Sequence, residues 1–275
     1  MPVRAFAFAM PESPTPTAEL PLDADDAKLL RYSRHLLLEE LGPDAQRKFA
    51  AAHVVIVGIG GLGAPAAHLL AAAGVGTLTL CDGDDVDLTN LQRQILYATA
   101  DVGARKVDAA AARIAAVNPD VNVVRMPSRV GPAELAPLAA AADVVLDCSD
   151  NFATRHAVNR ACVAACTPLV SGAAIRFDGQ VAVFDVRDAD APCYHCLFGE
   201  GEALEETRCA TMGVFAPLVG IVGSTQAAEA LKLIAGAGAT LAGRLLLLDA
   251  LAMQWREMRV PRDPGCPVCG RRACG

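Results

Sequence analysis

The sequence predicts an α/β fold in which helices cover both faces of a mostly parallel sheet. Short apolar stretches typical of strands alternate with helical patterns along the first half of the chain. In addition, a glycine-rich turn at residues 58–63 lies directly between one such strand and the next helix. Glycines allow a tight turn, and a helix start offers free N–H groups to a phosphate. The predicted architecture is therefore a Rossmann-like, doubly wound sheet.

The elements of the parallel half follow from their apolar patterns. In chain order they are helices at residues 25–40 and 43–50, a strand at 53–57, a helix from the glycine turn to Ala73 that ends at Gly74, a strand at 77–82, a helix from Lys106 to about residue 117, and strands at 121–126 and 142–147. Ligands of such sheets bind beyond the carboxyl ends of the strands. The polar residues that follow each strand are thus the first candidates for a site.

The later part of the chain predicts a C-terminal antiparallel extension of the sheet. Its elements are strands at residues 168–171 and 180–185 joined by a turn around Asp178 and Gly179, a long apolar helix at 214–234, and a closing hairpin at 244–249 and 254–259. No internal repeat or clear linker divides the chain. We therefore expect a single domain at residues 27–275, preceded by a flexible, proline-containing tail at residues 1–26.

Composition narrows the class of protein. The 275 residues are 53% apolar, which is enough for one large domain with a substantial core. A net charge of −7 argues against a nucleic-acid partner. Apolar runs are interrupted before they reach the roughly 18 to 20 residues of a membrane helix, and the first residues lack the features of a signal peptide. The sequence thus predicts a cytoplasmic protein without a membrane partner.

Ten cysteines in a cytoplasmic chain call for an explanation other than secreted disulfides. Two pairs have the Cys-x-x-Cys spacing, Cys193 with Cys196 and Cys266 with Cys269. Two such turns complete a four-sulfur zinc site, which would clamp the C-terminal end onto the domain. A redox-active pair is the alternative, and the presence of two pairs makes it the weaker one. Cys209 differs because it lies in a polar stretch where its thiol would be reachable.

The residues after the second strand sharpen the prediction of a nucleotide site. Asp82 and Asp84 follow that strand, Asp150 follows a later one, and all three should share an edge with the glycine turn. Such a set of carboxylates is typical of a site for magnesium and a nucleotide. Arg93 and Lys106 add two cations, as a polyphosphate whose charge changes during a reaction would require. A nicotinamide oxidoreductase shares the glycine turn, but it would leave both cations and the zinc site without a role.

At this point several motifs together carry a resemblance to a known family. They occur in the order Arg-Tyr-Ser-Arg at residues 31–34, Gly-Ile-Gly-Gly-Leu-Gly at 58–63, Thr-Asn-Leu-Gln-Arg-Gln at 89–94, Asp-Cys-Ser-Asp-Asn at 147–151, Pro-Leu-Val-Ser-Gly-Ala at 168–173, and the two cysteine pairs. The chain resembles, over roughly residues 29–269, the bacterial relatives of ubiquitin-activating enzymes, the HesA/MoeB/ThiF family of adenylyltransferases. Thr89 is a small departure, since the family often has serine there and both residues keep a hydroxyl.

The resemblance implies an activity and its partners. It implies ATP-dependent adenylation of the C-terminal glycine carboxylate of a small ubiquitin-like sulfur-carrier protein that ends in Gly-Gly. Pyrophosphate is released, and the adenylate is ready for conversion to a thiocarboxylate. ATP, Mg²⁺ and Zn²⁺ are the implied cofactors, and the implied assembly is a homodimer. Because the chain stops soon after Cys274, we expect no fused sulfurtransferase domain and hence a separate sulfur-donor protein.

The resemblance also implies roles for individual residues. Asp150 would hold Mg²⁺, and Arg93 and Lys106 would stabilise charge on the phosphoryl oxygens and pyrophosphate. Asp82 would bind the ribose hydroxyls, while Arg34 would reach into the ATP site of the partner subunit. The other nucleotide-binding candidates are Gly58, Gly60, Gly61, Gly63, Asp84, Thr89, Asn90 and Asn151, and Cys209 is a candidate for a covalent link to the carrier or to sulfur.

Simpler explanations stand beside several of these roles. Arg34 could form a salt bridge within its own subunit, and Asp150 could cap the helix that starts near residue 152. Asp84 could be a turn residue, Asn90 could satisfy backbone groups of a loop, and Cys209 could be a surface thiol without a catalytic role. For the whole protein, the alternative is a scaffold that binds a ubiquitin-like partner without activating it.

Within the family, two short stretches of the sequence indicate the pathway in which the chain acts. Residues 171–176 and 256–258 are more similar to the molybdopterin branch, so the small subunit of molybdopterin synthase is the favoured carrier. The same chemistry on the thiamine-pathway carrier, or on another carrier, is the alternative.

Overall fold

The computed structural model describes residues 26–200 and 212–270, and an eight-stranded sheet forms its centre. The strands are β1 (His53–Val57), β2 (Thr77–Cys81), β3 (Asn122–Met126), β4 (Val144–Asp147), β5 (Leu169–Ile175), β6 (Asp178–Phe184), β7 (Arg244–Asp249) and β8 (Gln254–Arg259). They lie in the order β3-β2-β1-β4-β5-β6-β7-β8. Pairs from β3 to β5 are parallel, and pairs from β5 to β8 are antiparallel. The predicted parallel sheet with a C-terminal antiparallel extension is confirmed.

Helices pack on both faces of this sheet. In the described ranges they are α1 (Asp26–Leu36), α2 (Gly42–Ala51), α3 (Gly63–Ala73), α4 (Lys106–Val117), α5 (Pro132–Ala141), α6 (Phe152–Ala165), α7 (Tyr194–Leu197) and α8 (Ala216–Ala235). The predicted start of α4 and the predicted end of α3 agree with the structure, and Gly74 caps α3 with a left-handed φ of 86°. The tail predicted at residues 1–26 lies, apart from Asp26, outside the described residues.

Strand β1 shows why the fold has two hydrophobic cores. Its alternate side chains point to opposite faces of the sheet. Val54 and Ile56 are buried in a cluster with α3, α4 and α8, whereas Val55 and Val57 are buried in a second cluster with α5 and α6. Each such side chain contributes roughly 1.5 to 3 kcal/mol when fully buried. A strand with four consecutive apolar residues, as at positions 54–57, therefore belongs at the centre of a sheet covered on both faces.

Helix α5 is an element that the sequence analysis does not assign. Seven of its ten residues are alanine or proline between Gly131 and Ala142, and its apolar residues show little preference for one face. The backbone N–H of Gly131 is nevertheless capped by the carboxylate of Glu134 at 2.9 Å. Helix α1 is shorter than predicted and ends at Leu36 instead of residue 40.

The turn between β5 and β6 also differs from its prediction. Asp178 and Gly179 belong to β6, and the two-residue turn is made by Arg176 and Phe177, with Arg176 at a φ of 52°. Gly179 has a packing role instead, because a Cβ there would lie 2.8 Å from the Cδ1 atom of Leu218 on α8. The glycine thus lets α8 approach the sheet, which a sequence pattern cannot distinguish from a turn.

Helix α8 is long and apolar enough to span a membrane by length and composition alone. Half of its apolar window is buried inside the protein. It packs against α3 and β5 and carries the buried polar residues Gln226 and Glu229. These contacts are those of a core helix.

The start of α3 provides a test of backbone packing. A Cβ on Gly63 would lie 1.9 Å from the carbonyl oxygen of Gly58, whereas a Cβ on Gly60 would have its nearest neighbour at 3.7 Å. We expect Gly63→Ala to lower the free energy of unfolding by about 1 to 3 kcal/mol, because the helix start must shift. The matched change Gly60→Ala should stay within about 0.5 kcal/mol of wild type. Urea unfolding followed by circular dichroism measures both, and equal effects would contradict this packing argument.

Candidate active site and metal centre

The loop at residues 58–62, called here the glycine loop, joins β1 to α3 at the carboxyl edge of the parallel strands. Gly58 has a φ of 90°, and a Cβ there would lie 2.8 Å from the carbonyl oxygen of Cys148. The missing side chain of Gly61 makes room for Val219 of α8. Within the described part of the chain, the N–H groups of Gly60, Gly61 and Leu62 donate no hydrogen bond. Three free donors at a helix start form a cradle suited to an anion.

Asp82 fixes the beginning of the glycine loop. It directly follows β2, and its Oδ2 atom accepts a 2.8 Å hydrogen bond from the N–H of Ile59. Its Oδ1 atom accepts a second bond from the N–H of Asp84 at 2.9 Å. Burial raises the pKa of Asp82, and the neighbouring charge of Lys106 opposes that shift without cancelling it. Asp82, the predicted ribose ligand, thus also fixes the position of the glycine loop.

Lys106 lies buried between two carboxylates at the start of α4. Its Nζ atom donates to Oδ2 of Asp84 at 3.0 Å and lies 4.0 Å from Oδ1 of Asp82. Asp84 also pairs with Arg129 at 3.2 Å. Partial burial raises the pKa of Asp84, but the hydrogen bonds and charges of Lys106 and Arg129 outweigh it and lower that pKa. The ammonium group of Lys106 therefore lies at the carboxyl edge of the parallel strands, and the two carboxylates compensate its charge.

The segment at residues 87–93, which carries Arg93, is held in its turn by hydrogen bonds among its own residues. Asp87 accepts hydrogen bonds from the N–H and the hydroxyl of Thr89, at 2.8 and 2.6 Å. Asn90 accepts from the N–H of Asp87 at 3.2 Å, and Arg93 donates to the carbonyl oxygen of Thr89 at 3.0 Å. Asn90 thus satisfies a backbone group of the loop, as its simpler explanation proposed. Thr89 is likewise bonded within the loop, to Asp87. Arg93 is half-buried, and the carbonyl oxygen of Thr89 is the one hydrogen-bond partner of its guanidinium within residues 26–200 and 212–270.

Two buried side chains attach this segment to the glycine loop. Gln94 lies next to Gly60, since a Cβ on Gly60 would be 3.7 Å from its Nε2 atom. Tyr97 donates its hydroxyl to the carbonyl oxygen of Ile59 at 2.7 Å. Burial raises the pKa of Tyr97, so its hydroxyl remains a donor across the physiological range. Arg93 is thereby brought to the same edge as Lys106.

Asp150 lies on the turn between β4 and α6, and its side chain is exposed. The helix cap is its neighbour Asn151, whose Oδ1 atom accepts from the N–H of Thr154 at 2.8 Å. Asn151 also donates to Asp150 at 3.4 Å. The capping explanation thus applies to Asn151, a predicted nucleotide ligand, and leaves the exposed Asp150 carboxylate without a capping role.

A buried ion pair beneath this turn is a feature that the sequence analysis does not assign. Asp147 is fully buried and accepts from the hydroxyls of Ser149 and Ser171, at 2.6 and 3.1 Å. Arg155 lies 3.8 Å from Asp147 and donates to the carbonyl oxygens of Ser149 and Gly172, at 2.6 and 3.0 Å. Because both charges have several partners, the pair fixes the turn that carries Asp150.

Among the predicted catalytic and nucleotide-binding residues in the described ranges, Arg34 is the one that lies away from this edge. Its helix, α1, packs at the C-terminal end of α4, where Arg31 donates to the carbonyl oxygen of Val117 at 2.8 Å. Lys106 is at the other end of α4, about 16 Å away along the helix axis. Arg34 is exposed and forms no ion pair with any described residue. The internal salt bridge considered for Arg34 therefore finds no support in the described residues.

The four paired cysteines converge at the far side of the sheet. The Sγ atoms of Cys193 and Cys196 are 4.0 Å apart, those of Cys193 and Cys266 3.8 Å, and those of Cys196 and Cys269 3.4 Å. All six pairs lie within 4.8 Å, and all four thiols are free. Four sulfurs on one tetrahedral zinc ion would be about 3.8 Å apart. The donor set and its spacing therefore suit a structural zinc ion.

Other cysteines fall into different groups. Cys81, Cys148 and Cys162 are buried free thiols whose pKa values burial raises, so they are inert core residues. Cys209, the predicted covalent residue, lies outside the described residues.

Loss of the four-sulfur cluster should be measurable as loss of zinc. We expect Cys266→Ser to remove the bound zinc and to lower the melting temperature, because one tetrahedral ligand is missing. Cys162→Ala is the matched control, since it removes a buried thiol outside the cluster and should leave the zinc content unchanged. Elemental analysis of the purified chains measures both. Full zinc content in Cys266→Ser would contradict the assignment.

Comparison with known proteins agrees with this architecture. A family model described as the ThiF family matches residues 32–268. The chain is 46% identical over 252 residues to the molybdopterin-synthase adenylyltransferase of Escherichia coli strain K12, covering 90% of this chain and 99% of the relative. It is also 46% identical over 246 residues to the sulfur carrier protein ThiS adenylyltransferase of that organism, covering 90% and 97%.

A solved structure shares the fold as well. The crystal structure of E. coli MccB with ATP matches with a TM-score of 0.75 at 26% identity, covering 88% of this chain and 75% of the other. Both the family model and the two relatives extend over most of the chain. The chain therefore belongs to the ThiF family.

Proposed function

We propose that this chain uses ATP to adenylate the C-terminal glycine carboxylate of a small ubiquitin-like sulfur-carrier protein. The observation that carries the proposal is the edge of the sheet at which three unpaired loop N–H groups, the buried Lys106 and the exposed Asp150 lie together. Relatives named as adenylyltransferases of sulfur-carrier proteins support it. The enzyme is thus a nucleotidyltransferase that prepares its partner for thiocarboxylate formation.

The chemistry requires charge compensation more than proton transfer. A terminal carboxylate has an ordinary pKa of roughly 3.3 to 3.7, so it is ionised at neutral pH without a general base. One carboxylate oxygen attacks the α-phosphorus of ATP, and the bond to the β-phosphate oxygen breaks. Pyrophosphate leaves with that electron pair, and an acyl-adenylate remains. Because an anion must approach a polyanion, catalysis depends on the placement of cations and on alignment.

Residues of this chain would supply most of the positive charge and the hydrogen-bond donors that compensate the phosphate charge. The glycine loop would bind phosphate oxygens through its free N–H groups, and Asp82 would bind the ribose hydroxyls. Lys106 would exchange Asp84 for a phosphate oxygen as its partner, since Asp84 keeps Arg129 as a second cation. Arg93 would act from the adjacent turn. Mg²⁺, when bound, would neutralise phosphate charge, and Asp150 is the exposed carboxylate suited to hold it.

A homodimer completes the proposed site. Arg34 is on α1, which packs at the end of α4 that lies about 16 Å along the helix axis from Lys106. We therefore infer that it acts in the site of the partner subunit and not in its own. It lies beside exposed apolar side chains on α1 and just beyond it, Leu30 at 76% and Leu37 at 73% exposure. An apolar, arginine-bearing face of this kind is suited to a contact between two copies, in which each copy contributes its Arg34 to the other's site.

The remaining parts of the proposal follow the family. We place the enzyme in the cytoplasm as a single domain at residues 27–275, with a structural zinc ion on its four cysteines and a separate sulfur-donor protein. The small subunit of molybdopterin synthase is the favoured carrier, because residues 171–176 and 256–258 are more similar to that branch. Overall identity to the two E. coli relatives does not separate the branches, since it is 46% for each.

The other classes have less support. A nicotinamide oxidoreductase would give no role to Lys106 or Arg93, and neither relative named above is one. A scaffold that binds without activating would not need the buried pairing of Lys106 with Asp84, which costs desolvation and serves no core packing.

The cations and the dimer can be tested together. We expect Lys106→Met to lower carrier-dependent ATP–pyrophosphate exchange about 100- to 1,000-fold, because an electrostatic contact in the transition state is lost. Lys48→Met, on α2 and away from the site, should retain exchange near the wild-type rate. Arg34→Ala should also be nearly inactive.

Co-expression of the Lys106→Met and Arg34→Ala chains under two affinity tags then gives mixed dimers. One of their two sites has both residues intact, so they should recover about half of the wild-type exchange rate. Inactive mixed dimers would contradict the sharing of Arg34 between subunits. Unaltered exchange in Lys106→Met would contradict the role of the lysine.

A further inference from the structure

A second cluster of metal-ligand side chains lies beside the four cysteines. His156 is on α6, His195 is on α7 between two of the cysteines, and Glu200 follows α7. One ring nitrogen of each histidine and one carboxylate oxygen of Glu200 lie within 4.8 Å of one another. We propose that these three residues bind a second divalent transition-metal ion of the zinc class. The inference stands apart from the proposed function, because it concerns a different part of the chain.

Unpartnered nitrogen atoms are the first argument for an ion. His156 is only 6% exposed, and its buried Nδ1 atom has no hydrogen-bond partner among the described residues. The Nδ1 atom of His195 is in the same condition. A buried polar atom that lacks a partner costs roughly 1 to 3 kcal/mol. Two such atoms in neighbouring imidazoles indicate a missing ligand between the side chains.

The distances agree with a shared ion. The Nδ1 atom of His156 lies 3.5 Å from Oε1 of Glu200, beyond a good hydrogen bond. Ligand atoms at about 2.0 to 2.1 Å from a tetrahedral zinc ion would be separated by about 3.3 Å. The two imidazole rings are 5.7 Å apart between centroids, with an angle of 65° between their planes. Three protein ligands would leave a fourth position for water.

Neighbouring charges both favour and oppose the binding of a second cation at this cluster. Zinc bound by four thiolates carries a net charge of −2, which favours a second cation nearby. Arg160 opposes it, since its guanidinium pairs with Oε1 of Glu200. Both His156 and Arg160 lie beside Oε1 of Glu200. A carboxylate has two oxygens, so Arg160 would pair with Oε2 when Oε1 binds the ion. Arg160 would then orient the metal ligand from outside.

The ion would connect the segment after α7 to α6. Helix α6 carries Arg155 directly before His156. Arg155 holds the turn of Asp150 through Ser149. The proposed metal is therefore a cross-link that limits motion of this helix and its N-terminal turn.

Metal stoichiometry in the full chain tests the proposal. Equilibrium dialysis against buffered Zn²⁺ followed by elemental analysis should give about two zinc ions per wild-type chain. His156→Gln and Glu200→Gln should each give about one, because the four-cysteine site remains intact. His68→Gln, on α3 and away from the cluster, should keep two.

Cobalt gives an independent readout. Co²⁺ at the cysteines produces thiolate charge-transfer absorption, whereas Co²⁺ at a His-His-Glu site adds only weak visible bands. Those bands should appear after the charge-transfer absorption saturates and should be absent in His156→Gln. One zinc ion per wild-type chain, or a second ion retained in both variants, would overturn the proposal. Because no activity is measured, failure here is independent of the adenylation proposal.

Discussion

The two-sided anchoring of Ile59 is the constraint on which the site depends. Its N–H donates to Asp82 at the end of β2, and its carbonyl oxygen accepts from Tyr97. Its side chain is fully buried in the core beneath the sheet edge. Because both polar backbone groups of Ile59 are occupied, the start of the loop is held in place. The next three N–H groups donate to no residue in the described ranges. A phosphate cradle of this kind is organised before its ligand arrives, so little ordering entropy is lost on binding.

Charges around that loop are arranged so that few are unpaired before a nucleotide binds. Lys106 is buried against Asp84 and Asp82, and Asp147 is buried against Arg155. Buried pairs of this kind add little net stability but hold their members in one geometry. Among the charged residues of the proposed site, Asp150, Arg34 and Arg93 form no ion pair with a described residue. In our proposal Asp150 binds a metal ion, Arg34 contacts a second subunit, and Arg93 contacts the phosphates.

Much of this arrangement was predictable from local sequence. The apolar runs and the glycine turn predict the central strands and the edge at which Asp82, Lys106 and Asp150 lie. The spacing of the cysteines predicts their convergence. Tyr97, Asp147 and Arg155 were not predictable, because their contacts join segments that only the strand order brings together. Gly179 was misassigned for the same reason: its close neighbour is Leu218, on a helix far along the chain.

Carrier-dependent ATP–pyrophosphate exchange distinguishes adenylation of the carrier from binding alone. The zinc-loaded full chain would be assayed with Mg²⁺, labelled pyrophosphate and purified ubiquitin-like carriers, each intact or lacking its C-terminal Gly-Gly. We predict exchange only with an intact tail, and fastest with the small subunit of molybdopterin synthase. Exchange that persists without the tail, or no exchange with any carrier although ATP binds, would contradict it.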